Sequence, residues 1–411
     1  MSWSQPADPR RVVAAGGLAI AVFIVAWIGL HRGFYRHRQI IDTPVYQRYG
    51  DAITHGQVPY RDFGLEYPPG ALPVFVIPSF LRSNEGDLVD YRSGFEAAML
   101  VCGVLMLAFM LSTLLRLGAG PVRLSLALGF AALAPLLLGS VVLSRFDLWP
   151  AALTAGALAA LVAGRHRLGS GVLGLAFAAK LYPAALVPLA VVWVWRRAGR
   201  REALICLGVL AAVAIAVFLP FVALAPHGVW DALTRQTSRP LQIETLGAGF
   251  LLVAHHVAGV GVTMRSSHGS QNLGGAGPDA LATLQTVLQI VAIVGVWVWF
   301  ARGPAERERL VRASAAAVCA FVAFGKVLSP QFLIWLIPLV PLARGRRGAA
   351  ASALLAVALV LTQLWFPFRY WELVLHFGTL ESWLVLVRDL VLVALFATLL
   401  LPSSLRRAAP R

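Results

Sequence analysis

Residues 12–30 read VVAAGGLAIAVFIVAWIGL, an apolar run without a charged side chain. At 1.5 Å per helical residue the run covers about 28 Å, close to the ~30 Å hydrocarbon core of a bilayer. It is long for a signal-peptide core and no small-residue cleavage site bounds it, so it reads as a retained first span. Runs of the same kind follow at about 91–117, 121–143, 147–163, 201–223, 281–301, 310–327, 348–365 and 383–402. Two short helical pairs are also expected, 168–179 with 183–196 and 310–327 with 331–343, and a lysine and a proline mark each turn.

Composition agrees with the runs. Of 411 residues, 59% are hydrophobic and 13% charged, with mean hydropathy +0.75. Soluble domains carry about 25% charged residues. A disordered chain is excluded, and a water-soluble globule does not fit. The expected fold class is all-α: one integral membrane domain over 1–411, a polytopic helical bundle of about twelve spans. The cysteines Cys102, Cys206 and Cys319 all fall inside apolar runs and read as buried, unreactive thiols.

The net charge of +16 has a topological reading. With the N-terminus inside, Arg10, Arg11, Arg116, Arg123, Arg165, Arg167, Arg196, Arg197, Arg200 and Arg201 all fall in inner segments. So do Arg302, Arg307, Arg309, Arg312, Arg344, Arg346, Arg347, Arg406, Arg407 and Arg411. Few acids accompany them: Asp8, Glu202, Glu306 and Glu308. This is the positive-inside pattern, with both termini cytoplasmic, and it replaces nucleic acid as the reason for the charge. Two longer segments lie outside, 31–90 and 224–280. The first holds an apolar piece, 70–81, too short to span and expected in the interface or dipping inward. The second holds SSHGSQNLGGAGP (266–278), expected as a mobile loop.

Three groups of residues can carry chemistry. The first outer segment, IIDTPVYQRYGDAITHGQVPYRDFGLEYPPGA (40–71), offers Asp42, Asp51, Asp62 and Glu66 among Tyr46, Tyr49, Tyr60 and Tyr67. A carboxylate there can take a proton from an attacking hydroxyl, and Tyr faces can stack on sugar rings. Equally, these acids can be solvated or paired with Arg36, Arg38, Arg48 and Arg61. The second group is intramembrane charge: Arg145 and Asp147 in LSRFDLWP, Lys180 in GLAFAAKLYP, Lys326 in AFGKVLSPQ. Lys180 and Lys326 are the chain's sole lysines, each followed by a proline, Pro183 or Pro330. An ion at membrane depth is expensive and points to function. Cations at a helix break suit a phosphate at headgroup level; snorkelling or a Lys–Asp pair is the plainer alternative. The third group, Arg235, Arg239, Gln242 and Glu244, can meet phosphate or sugar hydroxyls, or be a polar loop. His55, His227, His255, His256 and His268 have no zinc spacing, and no phosphate-binding glycine motif is present, so neither metal nor cofactor is expected.

These stretches resemble a known family. The 40–71 segment, SRFDLWPAALTAGALAAL (144–161), GLAFAAKLYPAALVPL (174–189), SRPLQIETL (238–246) and GKVLSPQFLIWLIPL (325–339) are similar, in this order, to C-type membrane glycosyltransferases. The closest resemblance is to the actinobacterial polyprenyl-phosphate-mannose-dependent α-mannosyltransferases of glycosyltransferase family 87. The resemblance implies an outward cavity and a polyprenyl-phosphate sugar donor, with mannose as the sugar. It implies a lipid or glycan acceptor and a single inverting displacement. Asp42 takes the place of the general base, with Asp62 and Glu66 as competitors. Lys180, Lys326, Arg145 and Arg239 would hold the donor phosphate. Tyr46, Asp62, Glu66, Tyr67, Asp147, Tyr182, Gln242, Glu244 and Gln331 would meet sugar or acceptor. A transporter or lipid flippase remains the rival reading, and an inactive scaffold a third.

Overall fold

A computed structural model describes residues 9–36, 40–81, 83–84 and 86–401. The termini, with Asp8, Arg406, Arg407 and Arg411, lie outside the described residues, as does Arg38. So do the side chains of Arg10, Arg11 and Arg36.

Among the described residues, 77% are helical. Its helices are α1 (Pro9–Gly29), α2 (Thr43–Thr54), α3 (Leu72–Leu81), α4 (Leu88–Arg116), α5 (Pro121–Leu138), α6 (Val141–Ser144), α7 (Leu148–Val162) and α8 (His166–Ala179). Then come α9 (Val187–Leu224), α10 (Pro226–Thr237), α11 (Leu246–Ala258), α12 (Ala276–Arg302), α13 (Arg307–Ala323), α14 (Gly345–Trp365), α15 (Tyr370–His376) and α16 (Thr379–Leu400). Among the described residues, seven helical stretches are long and apolar enough to cross a membrane. One of them, Tyr182–Leu224, is not continuous, because Gly199 takes φ 87° and turns the chain between two helical arms.

The shorter helices fill the interior. Nearly every residue of α7 is buried, as is most of α13. Their Ala-rich faces let neighbours approach closely, which is how helices associate where lipid removes the hydrophobic drive. The outer faces of α9 and α12 are apolar and open, as lipid-facing surfaces should be.

The arginine-rich loops gather at one end. Arg123 forms a two-pronged pair with Glu308 at 2.5 and 2.8 Å and also donates to the Leu342 carbonyl. Arg307 donates to the Arg116 carbonyl, Arg167 pairs with Glu202, and Arg196 donates to the carbonyls of Ala301 and Gly303. Arg347 donates to the Leu401 carbonyl. At the other end lie α2, α3, α10, α15 and the loops between spans.

One expectation is corrected there. Part of the Gly/Ser/Asn-rich segment is a β-hairpin, β1 (Thr263–Ser267) and β2 (Ser270–Gly274). Its two-residue turn, His268–Gly269, has φ 53° and 66°. Two successive positive φ values match the right-handed strand twist, and glycine adopts one freely. The loop before α11 adds to this hairpin, since Ile243 N–H bonds the Gln271 carbonyl and Leu273 N–H bonds the Leu241 carbonyl. The fold is therefore nearly, not wholly, α-helical. The apolar 70–81 piece is a short helix packed on α2 and α4, entered by a 3-10 turn at Pro69–Ala71.

Helix α8 has 14 residues, about 21 Å, and ends well short of a bilayer's thickness. It stops because Lys180 is extended (φ −159°, ψ 148°) and Pro183 follows. Helix α13 stops at Phe324 before Ser329–Pro330. The carbonyls freed by the second break are captured from α12: Gln289 donates to Phe321 at 2.6 Å and Gln285 to Gly325 at 2.9 Å. Gln285 also accepts from the Gly247 N–H. Gln285→Leu strands two buried backbone groups, and each such loss is worth about 1–3 kcal/mol. Thermal unfolding in detergent should show a marked fall in midpoint for that variant and almost none for the exposed Thr283→Ala.

Candidate active site

Both helix breaks open into one cavity of about 560 Å³. Small-molecule sites run from about 300 to 1,000 Å³. Asp42, Glu66, Arg145, Lys180, Arg239, Glu244 and Lys326 all line it. Elements separated by nearly three hundred residues thus supply one set of charges.

Lys180 is the most strictly held. Its Nζ lies 2.5 Å from Asp147 Oδ1, and that oxygen also accepts from Trp335 Nε1 at 2.7 Å. The ammonium sits 4.3 Å from the Phe146 ring centre and 5.2 Å from that of Trp335. Asp147 is 1% exposed. An anion that deep needs the lysine, and the lysine needs it. Asp147, expected to meet sugar, is instead the positioning partner of Lys180.

Arg145 is buried in the extended turn between α6 and α7 and forms an ion pair with Asp42 Oδ2. Its Nε has no partner among the described residues. Asp42 stands at the N-terminus of α2, yet its side chain does not cap the helix. The carboxylate turns to Arg145 instead. Tyr46, one turn on, is 3.4 Å from the same oxygen. Its ring is buried against Phe75, stacked at 4.5 Å, with Phe95, Phe146 and Tyr67 around it. Tyr46 fixes the base of α2 and does not line the cavity.

The other cations come from loops. Arg239 donates to the His268 carbonyl at 2.8 Å, in the hairpin turn. Lys326 donates to the Thr237 carbonyl at 2.8 Å. Glu66 faces the cavity with no ion pair or side-chain hydrogen bond among the described residues. Gly269 leaves its carboxylate room, because a Cβ there would come within 3.1 Å of it. Tyr67 and Gln331 also line the wall.

Two further residues expected at the sugar are already hydrogen-bonded within the protein. The Gln242 amide is occupied: Oε1 accepts from Leu328 N–H and Nε2 donates to Ser329 Oγ, bridging the loop to the broken α13. The Tyr182 hydroxyl is held by Thr154 and the Pro150 carbonyl, and its ring stacks on Trp335 at 4.1 Å. Both line the cavity as framework. Asp62 is not in the cavity. It is exposed, bonded to Arg61 and the Val58 N–H, and the Arg61 guanidinium holds its carboxyl down at about 2. A group that acidic is a poor proton acceptor near neutrality.

A family model for glycosyltransferase family 87 matches residues 65–330. The chain belongs to glycosyltransferase family 87. No curated protein matches its sequence. The matched stretch holds Glu66, Arg145, Lys180, Arg239, Glu244 and Lys326; Asp42 precedes it, so its place in this glycosyltransferase rests on the geometry alone.

Sequence reasoning missed a buried pair on α16. Arg388 and Asp389 are fully buried, with Nε 2.6 Å from Oδ1, and Arg388 Nη2 donates to the Glu244 carbonyl at 2.6 Å. The signal was present: WLVLVRDLVLVAL places an Arg–Asp step inside an apolar run. The pair pins the loop that carries Arg239 and Glu244.

The Lys180–Asp147 pair has a direct test. Asp147→Leu leaves a buried cation without its partner and should cost about 3–5 kcal/mol. Asp147→Leu combined with Lys180→Met removes both charges and should recover most of that loss. Denaturation of the two variants in the same detergent reads the difference.

Proposed function

We propose that this glycosyltransferase transfers a sugar, mannose, from a polyprenyl-phosphate donor to a lipid or glycan acceptor by inverting displacement. One observation carries the reading: a carboxylate, Asp42, and four cations, Arg145, Lys180, Arg239 and Lys326, share a single cavity fed by two helix breaks. The acceptor hydroxyl attacks the anomeric carbon and passes its proton to Asp42. The bond from that carbon to the phosphate oxygen breaks, and polyprenyl phosphate leaves as a monoester anion. Its departure needs fixed positive charge and no proton donor. Lys180 suits this task, since its charge is preset by Asp147 and needs no rearrangement in the reaction.

Arg145 has a second part in this reading. Before the donor binds, it holds Asp42, and an ion-paired carboxylate is a weak base. The donor phosphate offers Arg145 another anion and so leaves Asp42 freer to accept the proton. Glu66 is the second candidate base.

The arginine-rich end is read as cytoplasmic, and the cavity at the opposite end as extracytoplasmic. Twelve passes follow if α7, α8, α13 and the apolar segment Pro330–Leu342 are counted with the two arms of α9 and the six other long helices, α1, α4, α5, α12, α14 and α16. The neutral acceptor reaches the cavity from the outer side, and the polyprenyl chain lies in lipid. No cofactor, metal or nucleic acid enters this scheme.

Three substitutions test it, assayed in membranes with labelled polyprenyl-phospho-mannose. Asp42→Asn should lower turnover by about 10²–10⁴, a loss far larger than the modest fall in melting midpoint expected where Arg145 loses its ion-pair partner. Asp62→Asn should leave turnover within about twofold, since surface changes away from a site rarely matter more. Lys180→Ala should raise the apparent KM for the donor. Full turnover in Asp42→Asn would pass the base role to Glu66. Efficient transfer from a nucleotide sugar alone would overturn the lipid-linked donor.

A further inference from the structure

The charged residues of the cavity divide into two neighbourhoods. Lys180 stands over the Tyr67 ring in one, and Arg239 acts on both, since it lies within electrostatic reach of Glu66, Tyr67 and Lys180 and also of Glu244. Tyr370 instead lies within reach of Glu244 and Arg145. The proposed function uses the first neighbourhood for a phosphate and leaves the second unexplained.

Glu244 is 2% exposed, faces the cavity, and has an Oε2 atom without a hydrogen-bond partner among the described residues. Buried polar groups are nearly always satisfied, so such an exception calls for a reason. The backbone cannot shift to find a partner. Gln242 N–H bonds the Lys326 carbonyl, Ile243 N–H bonds the Gln271 carbonyl, and Arg388 holds the Glu244 carbonyl. The loop is thus held in place, and the unmet oxygen belongs to a residue that lines the cavity, where a bound group can donate to it.

Opposite it, the turn from α14 to α15 presents three aromatic rings to the same cavity: Phe366, Tyr370 and Trp371. Tyr370 meets Phe366 edge-on at 5.4 Å and Trp371 edge-on at 5.2 Å. The Tyr370 hydroxyl makes no hydrogen bond among the described residues. Trp371 is 53% exposed. Aromatic faces offer large apolar area together with a polar edge, and a sugar ring presents the complement: apolar C–H faces and hydroxyls at the rim. A lipid tail would leave Glu244 unsatisfied, whereas a sugar hydroxyl can donate to it.

We propose that Glu244 and the shelf of Phe366, Tyr370 and Trp371 form the acceptor subsite, and that it takes a neutral sugar ring whose hydroxyl donates to Glu244. The assignment rests on the transferase reading and adds to it the chemical class of the acceptor. Arg145 joins the two neighbourhoods, since it pairs with Asp42 and lies within reach of Tyr370 and Glu244. The base therefore stands at the border where a bound acceptor would present its nucleophile.

Saturation-transfer NMR on the full chain in nanodiscs tests this, with methyl α-mannoside and methyl β-glucoside as probes and 1-octanol as a hydroxyl compound without a sugar ring. The wild type and Asp62→Asn, whose residue lies outside the cavity, should both pass magnetisation to the ring protons of at least one glycoside. Glu244→Ala and Trp371→Ala should bind that glycoside about tenfold more weakly, the size expected for one lost buried hydrogen bond or stacking contact. Glu244→Gln, which keeps an acceptor oxygen, should retain binding and serves as the folding control alongside thermal melts. Unchanged glycoside affinity in Glu244→Ala overturns the subsite. So does octanol competing as well as the glycosides, or no glycoside signal in the wild type. Binding of polyprenyl phosphate in vesicles is measured on the same variants and on Lys180→Ala. If Lys180→Ala keeps it while Glu244→Ala loses the glycoside, the donor-site reading fails and the sugar subsite stands.

Discussion

One buried ion pair, Lys180 on Asp147, organises the centre of this molecule, because a carboxylate that deep is stable only with its cation beside it. Lys180 ends α8, Asp147 precedes α7, and Trp335 follows the break in α13; one carboxylate oxygen ties all three. The site has its shape because α8 stops about 21 Å along and α13 stops before Pro330. Each stop frees backbone groups that hydrocarbon cannot satisfy. The polar residues of α12 and the side chain of Gln242 satisfy those of α13. A cavity lined with cations is then the natural by-product of two helices that end early.

The cavity is assembled around buried partners, not surface charge. Asp147 holds Lys180, the Arg388–Asp389 pair holds the Glu244 loop, and the aromatic cluster around Tyr46 holds the start of α2. Preset charge of this kind is what a leaving phosphate requires, because the protein need not reorganise as the negative charge develops. Family membership establishes a glycosyltransferase. The arrangement of its carboxylates and cations supports a lipid-linked donor, and the pairing of Asp42 with Arg145 supports a base that is restrained until an anion arrives.

The differences between expectation and structure share a cause. Asp62, Asp147, Tyr182 and Gln242 are the right residue types in the right stretches, but a polar side chain can serve a neighbour's backbone as readily as a ligand. Gln242 meets the freed groups of α13, and Tyr182 meets Thr154 and Pro150. Nothing local distinguishes these uses. The β-hairpin escaped for a related reason: its Gly and Ser content mimics a loop, and its second strand is fixed by pairing with 241–243, some thirty residues earlier.

The sequence by itself determined the membrane class, the positions of most spans, the gathering of arginines in alternate loops, and the two lysine–proline breaks. Those features depend on runs of residues and on single backbone constraints, both readable along the chain. Only the tertiary structure decided that Asp42 faces Arg145, that Asp62 stays outside, and that Glu244 lines one cavity with Phe366, Tyr370 and Trp371, more than a hundred residues away. Such meetings depend on how helices pack and where loops fold back into the bundle. No local periodicity encodes them, because the energy that fixes them belongs to pairs of groups distant in the chain.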